Sequence, residues 1–311
     1  MPARPRVAEV DPARVAATGR LPGRVAFLGL GLIGGSIALA LREAGYAGEL
    51  VAWTPGGSGP REGLRRGLVD EAAPDAGSAL QGAELVILAG PPLEMLATTT
   101  ALAGPLARDL APDATITDVV STKAMIVSQA SGRGLRFVGG HPMAGRETSG
   151  VAASTADLFV GRPWVIVPAS SATANDVGRV EALAVAAGAQ PVHMTAADHD
   201  AAVASISHLP LVVAAALVES VAGSPGASGW RTAKGLAATG WRDTTRLARG
   251  DPAMGAGILA TNAALVADRL AAVRDVLDSW VQALREEGMD AEALQTRLEA
   301  ARAALDQATD E

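Results

Sequence analysis

A short apolar run that empties into a glycine series sets the fold of the first half of this chain. Arg24-Val25-Ala26-Phe27-Leu28 reads as a buried parallel strand. It leads into Gly29-Leu30-Gly31-Leu32-Ile33-Gly34-Gly35-Ser36 and then into a helix-like stretch from Ile37 to Ala44. A GxGxxG alone is a weak signal, but strand, glycine loop and helix in that order form a dinucleotide fingerprint. In this reading Gly29 permits the tight turn and Gly31 lets the backbone approach a pyrophosphate. Gly34 lets helix and strand pack closely, and the helix N-terminus at Leu32 and Ile33 faces the phosphate charge.

The second strand, Glu49-Leu50-Val51-Ala52-Trp53, is expected to end on an acid that takes the ribose 2′-hydroxyl of NAD. It ends instead on Thr54-Pro55-Gly56-Gly57-Ser58, with Arg61 further on. Hydroxyls and an arginine without an acid also suit a 2′-phosphate, so NAD and NADP both remain open, with Thr54 a cofactor contact. Further strands read at Ala83 to Leu88, ending on Ala89-Gly90-Pro91-Pro92, and at Ala114-Thr115-Ile116-Thr117-Asp118-Val119-Val120-Ser121-Thr122-Lys123. Leu135 to Val138 and Pro163 to Val167 complete the series. Helical segments separate most of them, which predicts βαβ units and a parallel sheet. Ligands of such sheets bind outside the carboxyl ends of the strands. The glycine loop, Ala89 to Pro92, Ser121 with Lys123, and a histidine loop are therefore expected to converge on one crevice.

That loop is Gly139-Gly140-His141-Pro142-Met143-Ala144-Gly145-Arg146-Glu147-Thr148-Ser149-Gly150. A histidine at a strand exit among small, turn-forming residues is presented to a ligand rather than packed.

From about Pro191 onward no strand signal remains. Thr195-Ala196-Ala197-Asp198 predicts a capped start to a long helix carrying His199 and His208. Nine residues at about 100° each put the two histidines on opposite faces of a straight helix. Pro210 is expected to kink it near His208. Val266, Leu270, Val273, Leu277, Trp280 and Leu284 recur at alternating steps of four and three, a seam for helix-on-helix burial within the chain or between two copies.

Composition narrows the function classes. With 311 residues the chain suits two domains. The absence of cysteine excludes disulfides and thiolate chemistry and is compatible with a cytoplasmic setting. A net charge of −7 without a basic stripe argues against nucleic acid. No uninterrupted apolar run reaches the roughly 18 residues of a membrane span, and residues 1–23 lack the apolar core of a signal peptide. No metal-ligand cluster is apparent. The expected organisation is an extension over 1–23, a dinucleotide-binding domain over 24–188 and a helical domain over 189–311.

Together, GLGLIGGS at 29–36, DVVSTK at 118–123, GGHPMAGRETSG at 139–150, ISHLP at 206–210 and WRDTTRLA at 241–248 resemble the prephenate/arogenate dehydrogenase family. The resemblance covers about residues 24–285. It implies an α/β Rossmann domain with a mostly parallel sheet, followed by an all-α helical dimerisation domain, and a homodimer formed through the C-terminal helices. It implies oxidative decarboxylation of prephenate, or of arogenate, with hydride transfer to NAD or NADP. His141 would be the catalytic group on the ring hydroxyl of the substrate, and Ser121 would support it. Arg246 would bind a substrate carboxylate, Asp243 would hold the arginine region, and His208 and Lys123 would belong to the substrate site. Two departures bear on substrate choice. Leu211 stands where many members carry a second histidine, and Met254 and Gly255 stand where several carry an aromatic. Neither a regulatory domain of the ACT type nor a fused mutase is expected after the last helix. Other dehydrogenases with a Rossmann and a helical domain would share the glycine loop without needing GGHPMAG or RDTTR, and a non-catalytic nucleotide sensor would not need His141 and Ser121.

Overall fold

A computed structural model describes residues 21–146, 148–223, 228–286 and 290–310. Most of the extension expected over 1–23 lies outside the described residues, as does Glu147 of the histidine loop.

The first half builds one sheet from β1 (Arg24–Leu28), β2 (Glu49–Trp53), β3 (Glu71–Ala72), β4 (Leu85–Leu88), β5 (Thr115–Asp118), β6 (Phe137–Pro142), β7 (Pro163–Pro168) and β8 (Gln190–His193). Their spatial order is β3-β2-β1-β4-β5-β6-β7-β8. The helices α1 (Leu32–Glu43), α2 (Ser58–Arg65), α3 (Ala76–Leu80), α4 (Pro92–Leu102), α5 (Ala124–Gly132) and α6 (Ala174–Ala186) link them. Along β1, Val25 and Phe27 enter one apolar cluster, with Ile37, Leu41 and Trp164, while Ala26 and Leu28 enter another, with Val86, Leu88 and Phe137. Both faces are covered, which is why these strands read as continuous apolar runs.

Neighbouring pairs from β3 to β6 are parallel, but β6 and β7 are antiparallel, with His141 opposite Val165. The connection between them, by way of the short 3₁₀ turn Val151–Ala153, runs without a crossover helix, so the chain re-enters in the opposite sense. The two-residue β3 is too short to show a pattern in sequence, and β8, which pairs in parallel with β7 at the sheet edge, is part-exposed and carries Pro191 where an apolar run would mark a strand. β8 carries the sheet to His193, beyond the boundary expected at 188.

The second half is helical: α7 (Ala196–Val203), a π turn (Ala204–His208), α8 (Leu209–Ala222), α9 (Ser228–Leu236), α10 (Thr239–Thr245), α11 (Pro252–Thr261), α12 (Ala263–Arg285) and α13 (Ala291–Asp310). Thr195 caps α7 as expected, accepting from Asp198 N at 3.1 Å. By length and composition the continuous run Ala196–Ala222 could cross a membrane. This corrects the sequence expectation: Ser205, Ser207 and His208 interrupt the apolar run residue by residue, yet the mean hydropathy of the helix stays high. The same helix carries buried His199, Asp200 and His208, which ties it to the crevice described below. On the seam of α12, Val266 is buried, whereas Leu277 is 56% and Leu284 57% exposed.

Candidate active site

The glycine loop lies between the carboxyl ends of β1 and β4, where the strand order reverses. Gly29 has φ +111°, and a Cβ there would collide with the carbonyl of Ala89. At Gly31 a Cβ would meet nothing within 4 Å, which leaves that face open. At Gly34 a Cβ would lie 2.8 Å from the Gly29 carbonyl oxygen, so its role is the close packing of α1 on the turn. No side chain caps α1, leaving its first amides for an anion. A cavity of about 810 Å³ opens here, walled by Gly29, Gly31, Trp53, Thr54, Ala89, Gly90 and Pro91. Size, open backbone and uncapped helix fit a dinucleotide. No carboxylate follows β2; Arg61, beyond the turn, donates to the Gly56 carbonyl at 2.9 Å.

A second pocket of about 410 Å³ shares Gly31, Ala89, Gly90, Pro91 and Gly150 with the first, so the two form one crevice. Leu32, Ile33, Ser121 and His141 line it, as do Leu211, Met254 and Gly255, the three positions where the chain departs from the family pattern. The expected convergence of strand ends holds.

His141 is presented by β6 and positioned from behind. Gly140 N donates to Asp118 Oδ1 at 3.1 Å, and a Cβ on Gly140 would lie 2.6 Å from the Asp118 carbonyl oxygen. His141 Nδ1 lies 2.8 Å from His199 Nε2, and His199 Nδ1 lies 2.7 Å from Asp200 Oδ1. Asp200 also accepts from the backbone amides of Lys123 at 2.7 Å and Ala124 at 2.8 Å. Burial pushes the Asp200 carboxyl up, but the bonds from His199 and the two amides outweigh it and hold the group below its ordinary range. An ionised Asp200 draws the proton of His199 to Nδ1. His199 Nε2 is then an acceptor, His141 Nδ1 donates to it, and His141 Nε2 carries a free lone pair. Burial, then the neighbouring His199, Lys123 and His208, keep His141 well below the ordinary imidazole value and hence neutral.

The straight helix expected from the sequence puts His199 and His208 on opposite faces, and gives neither His199 nor Asp200 a role. The π turn adds a residue to one turn and rotates His208 by about 100° relative to that expectation. His199 and His208 therefore both act on His141. The Asp200 backbone carbonyl and His208 Nδ1 share Asn262 Nδ2, at 2.9 and 3.1 Å. The signal that could have found the relay was His199-Asp200 directly after the cap at Thr195.

Several expected site residues lie elsewhere. Lys123 is fully buried and ion-paired with fully buried Asp118, so it does not reach the pocket. Burial drives Asp118 up and Lys123 down, each opposed by the charge of the other. His208 is 1% exposed and lies behind the pocket wall. Ser121 lines the pocket, but the hydrogen bond that supports His141 comes from His199. Arg246 opens the 3₁₀ turn Arg246–Arg249 and, with Asp243 on α10, is exposed and outside the pocket lining.

A dinucleotide crevice on a doubly wound sheet, a neutral histidine facing it and a helical second domain define a nicotinamide-dependent dehydrogenase. Residues 37–193 match the family model for the prephenate dehydrogenase nucleotide-binding domain, and residues 195–299 match that for its dimerization domain. The chain belongs to the prephenate dehydrogenase family. It is 34% identical over 257 residues to prephenate dehydrogenase of Bacillus subtilis, covering 82% of this chain and 66% of that protein. This chain thus spans about two thirds of the length of that curated relative. Synechocystis arogenate dehydrogenase is 32% identical, with a TM-score of 0.73 over 91% of this chain and 99% of that one. Prephenate dehydrogenase of A. aeolicus, solved with hydroxyphenyl propionate and NAD⁺, is 26% identical, with a TM-score of 0.81 over 94% of this chain and 99% of that one.

Proposed function

We propose that this chain oxidatively decarboxylates prephenate to 4-hydroxyphenylpyruvate in tyrosine biosynthesis, using NAD or NADP. The observation that carries the proposal is the free Nε2 of neutral His141 in a pocket continuous with the dinucleotide cavity. Prephenate is a cyclohexadienol with a hydroxyl at C4 and a carboxylate at the opposite ring carbon. The bound nicotinamide supplies a hydride acceptor for C4. His141 Nε2 takes the hydroxyl proton, and the resulting positive charge is shared through His199 with the Asp200 carboxylate. The bond from C1 to the ring carboxylate then breaks, its electron pair enters the ring, and carbon dioxide leaves as the ring becomes aromatic. Ser121 lies at the pocket wall, while Arg246 and Asp243, outside that wall, take no part in this step.

Arogenate is the second reading, favoured by the resemblance to the Synechocystis structure. The exposed apolar seam of α12 and the sparsely buried α8 support a homodimer through the C-terminal helices. We place the protein in the cytoplasm, with neither nucleic acid nor membrane as a partner.

The test is absorbance at 340 nm with the purified chain, crossing prephenate and arogenate with NAD⁺ and NADP⁺. Reduction with prephenate is the expected result. Silence in all four pairings, with cofactor binding intact, would overturn the reading.

A further inference from the structure

The second pocket has one acidic and one basic side chain in its wall among the described residues, Asp251 and Arg146. Asp251 is committed to capping α11: its Oδ1 accepts from Ala253 N at 2.8 Å and Met254 N at 3.1 Å. Lys123 is locked to Asp118 behind the wall. Arg146 is exposed at the rim, five residues past His141, and makes no hydrogen bond or ion pair with any described residue. A planar guanidinium at a pocket wall with its donors unspent is suited to binding both oxygens of a carboxylate.

We propose that Arg146 binds the side-chain carboxylate of the substrate and thereby selects the keto acid over its amino counterpart. The inference rests on the reading of the substrate given above. With the ring hydroxyl on His141, the opposite ring carbon carries both a carboxylate and the three-carbon side chain. The side chain extends further from the ring and reaches the rim. The ring carboxylate must also surrender its charge as carbon dioxide leaves, so a cation clasping it would stabilise the ground state against the reaction. The side-chain carboxylate is unchanged from substrate to product. Arg146 therefore contributes binding that is equal in ground and transition states, which appears in KM and not in kcat. In arogenate an ammonium stands next to that carboxylate and opposes the guanidinium, whereas the keto group of prephenate does not.

The experiment compares wild type, Arg146→Gln and Arg146→Lys. Expected for Arg146→Gln is a KM for prephenate raised about tenfold, the low end for an exposed charge-assisted bond. Its kcat and cofactor affinity should stay near wild type, the preference for prephenate over arogenate should narrow, and Arg146→Lys should recover part of the loss. Inhibition is measured alongside with 3-(4-hydroxyphenyl)propionate and with 4-ethylphenol, which lacks the carboxylate. The carboxylate analogue alone should weaken in Arg146→Gln. Equal inhibition of wild type and variant by the carboxylate analogue, or equal weakening of both analogues, would overturn the proposal. If the wild type reduces neither cofactor with either substrate, the functional reading fails separately. Calorimetric binding of the two analogues would then still decide the role of Arg146.

Discussion

His141 Nδ1 sits 2.8 Å from His199 Nε2, and the proton on one ring fixes the tautomer of the other. Asp200 starts that chain by holding the His199 proton. An Asp200→Ala variant would remove the acceptor of the His199 proton and leave the tautomers of both rings unset. It should lower kcat by about 10²–10⁴-fold, as should His141→Asn, with nicotinamide binding unchanged. Steady-state kinetics beside a binding titration check this. Turnover near wild type in both variants would remove the relay from the mechanism. Because surroundings hold His141 low, the acid limb of log(kcat/KM) in the wild type should fall below the ordinary imidazole value of about 6.5.

The Asp118–Lys123 pair tests a different link, that between packing and the site. Both side chains are fully buried, and Asp118 also accepts from Val120 N at 3.0 Å and Gly140 N at 3.1 Å. Removing the cation alone leaves an uncompensated charge. Lys123→Met should therefore cost about 3–5 kcal/mol of unfolding free energy, while Asp118→Asn/Lys123→Met together should recover much of it. Urea denaturation of the two variants decides the matter. A single variant as stable as wild type would show that the pair is not needed for the fold.

What the sequence disclosed follows from how local each cause is. Gly29, Gly31 and Gly34 declare themselves because a positive φ, an open face and a close packing contact fall in one six-residue pattern, although the carbonyl that bars a Cβ at Gly29 belongs to distant Ala89. His141 is legible because strand, glycines and loop are contiguous. His208 was misplaced relative to His199 because the 100° rule holds only for an unbroken α-helix, and the π turn ahead of Pro210 breaks it; the contact of His199 with His141 spans 58 residues of sequence. The position of Pro210 signalled an irregularity without its kind. Lys123 was misassigned because its partner, Asp118, lies across a strand end, and an ion pair closing inward looks the same in sequence as a lysine pointing outward. Arg246 and Asp243 occur in a motif whose geometry depends on helix packing, and sequence spacing alone does not place them in the pocket.

The end of β2 gives a prediction for cofactor choice. Thr54 lines the dinucleotide cavity where an acid would hold the ribose hydroxyls of NAD and repel a 2′-phosphate. Thr54→Asp should shift the ratio of NAD⁺ to NADP⁺ affinity toward NAD⁺ by about tenfold or more, the scale of a charge-assisted hydrogen bond. Trp53 lines the same cavity, so quenching of tryptophan fluorescence reports binding without turnover. An unchanged ratio would place the adenosine ribose away from Thr54.

His208 links the site to the pH dependence of stability. Burial, the largest effect, lowers its pKa to about 4; His199 adds to this, and Asp200 and the Ser121 backbone oppose it. In the unfolded chain the imidazole returns to about 6.5. Below that value the unfolded state binds more protons than the native state, so stability falls as pH drops from about 6.5 toward 4 and is level with respect to this group above that window. From pH 7 to pH 5 the loss attributable to His208 should be about 2 kcal/mol. His208→Gln keeps a side-chain amide near Asn262 and removes the titration. Its urea midpoint should therefore fall less between pH 7 and pH 5 than that of the wild type. Equal falls in the two proteins would assign the acid sensitivity to other groups, His141 first among them.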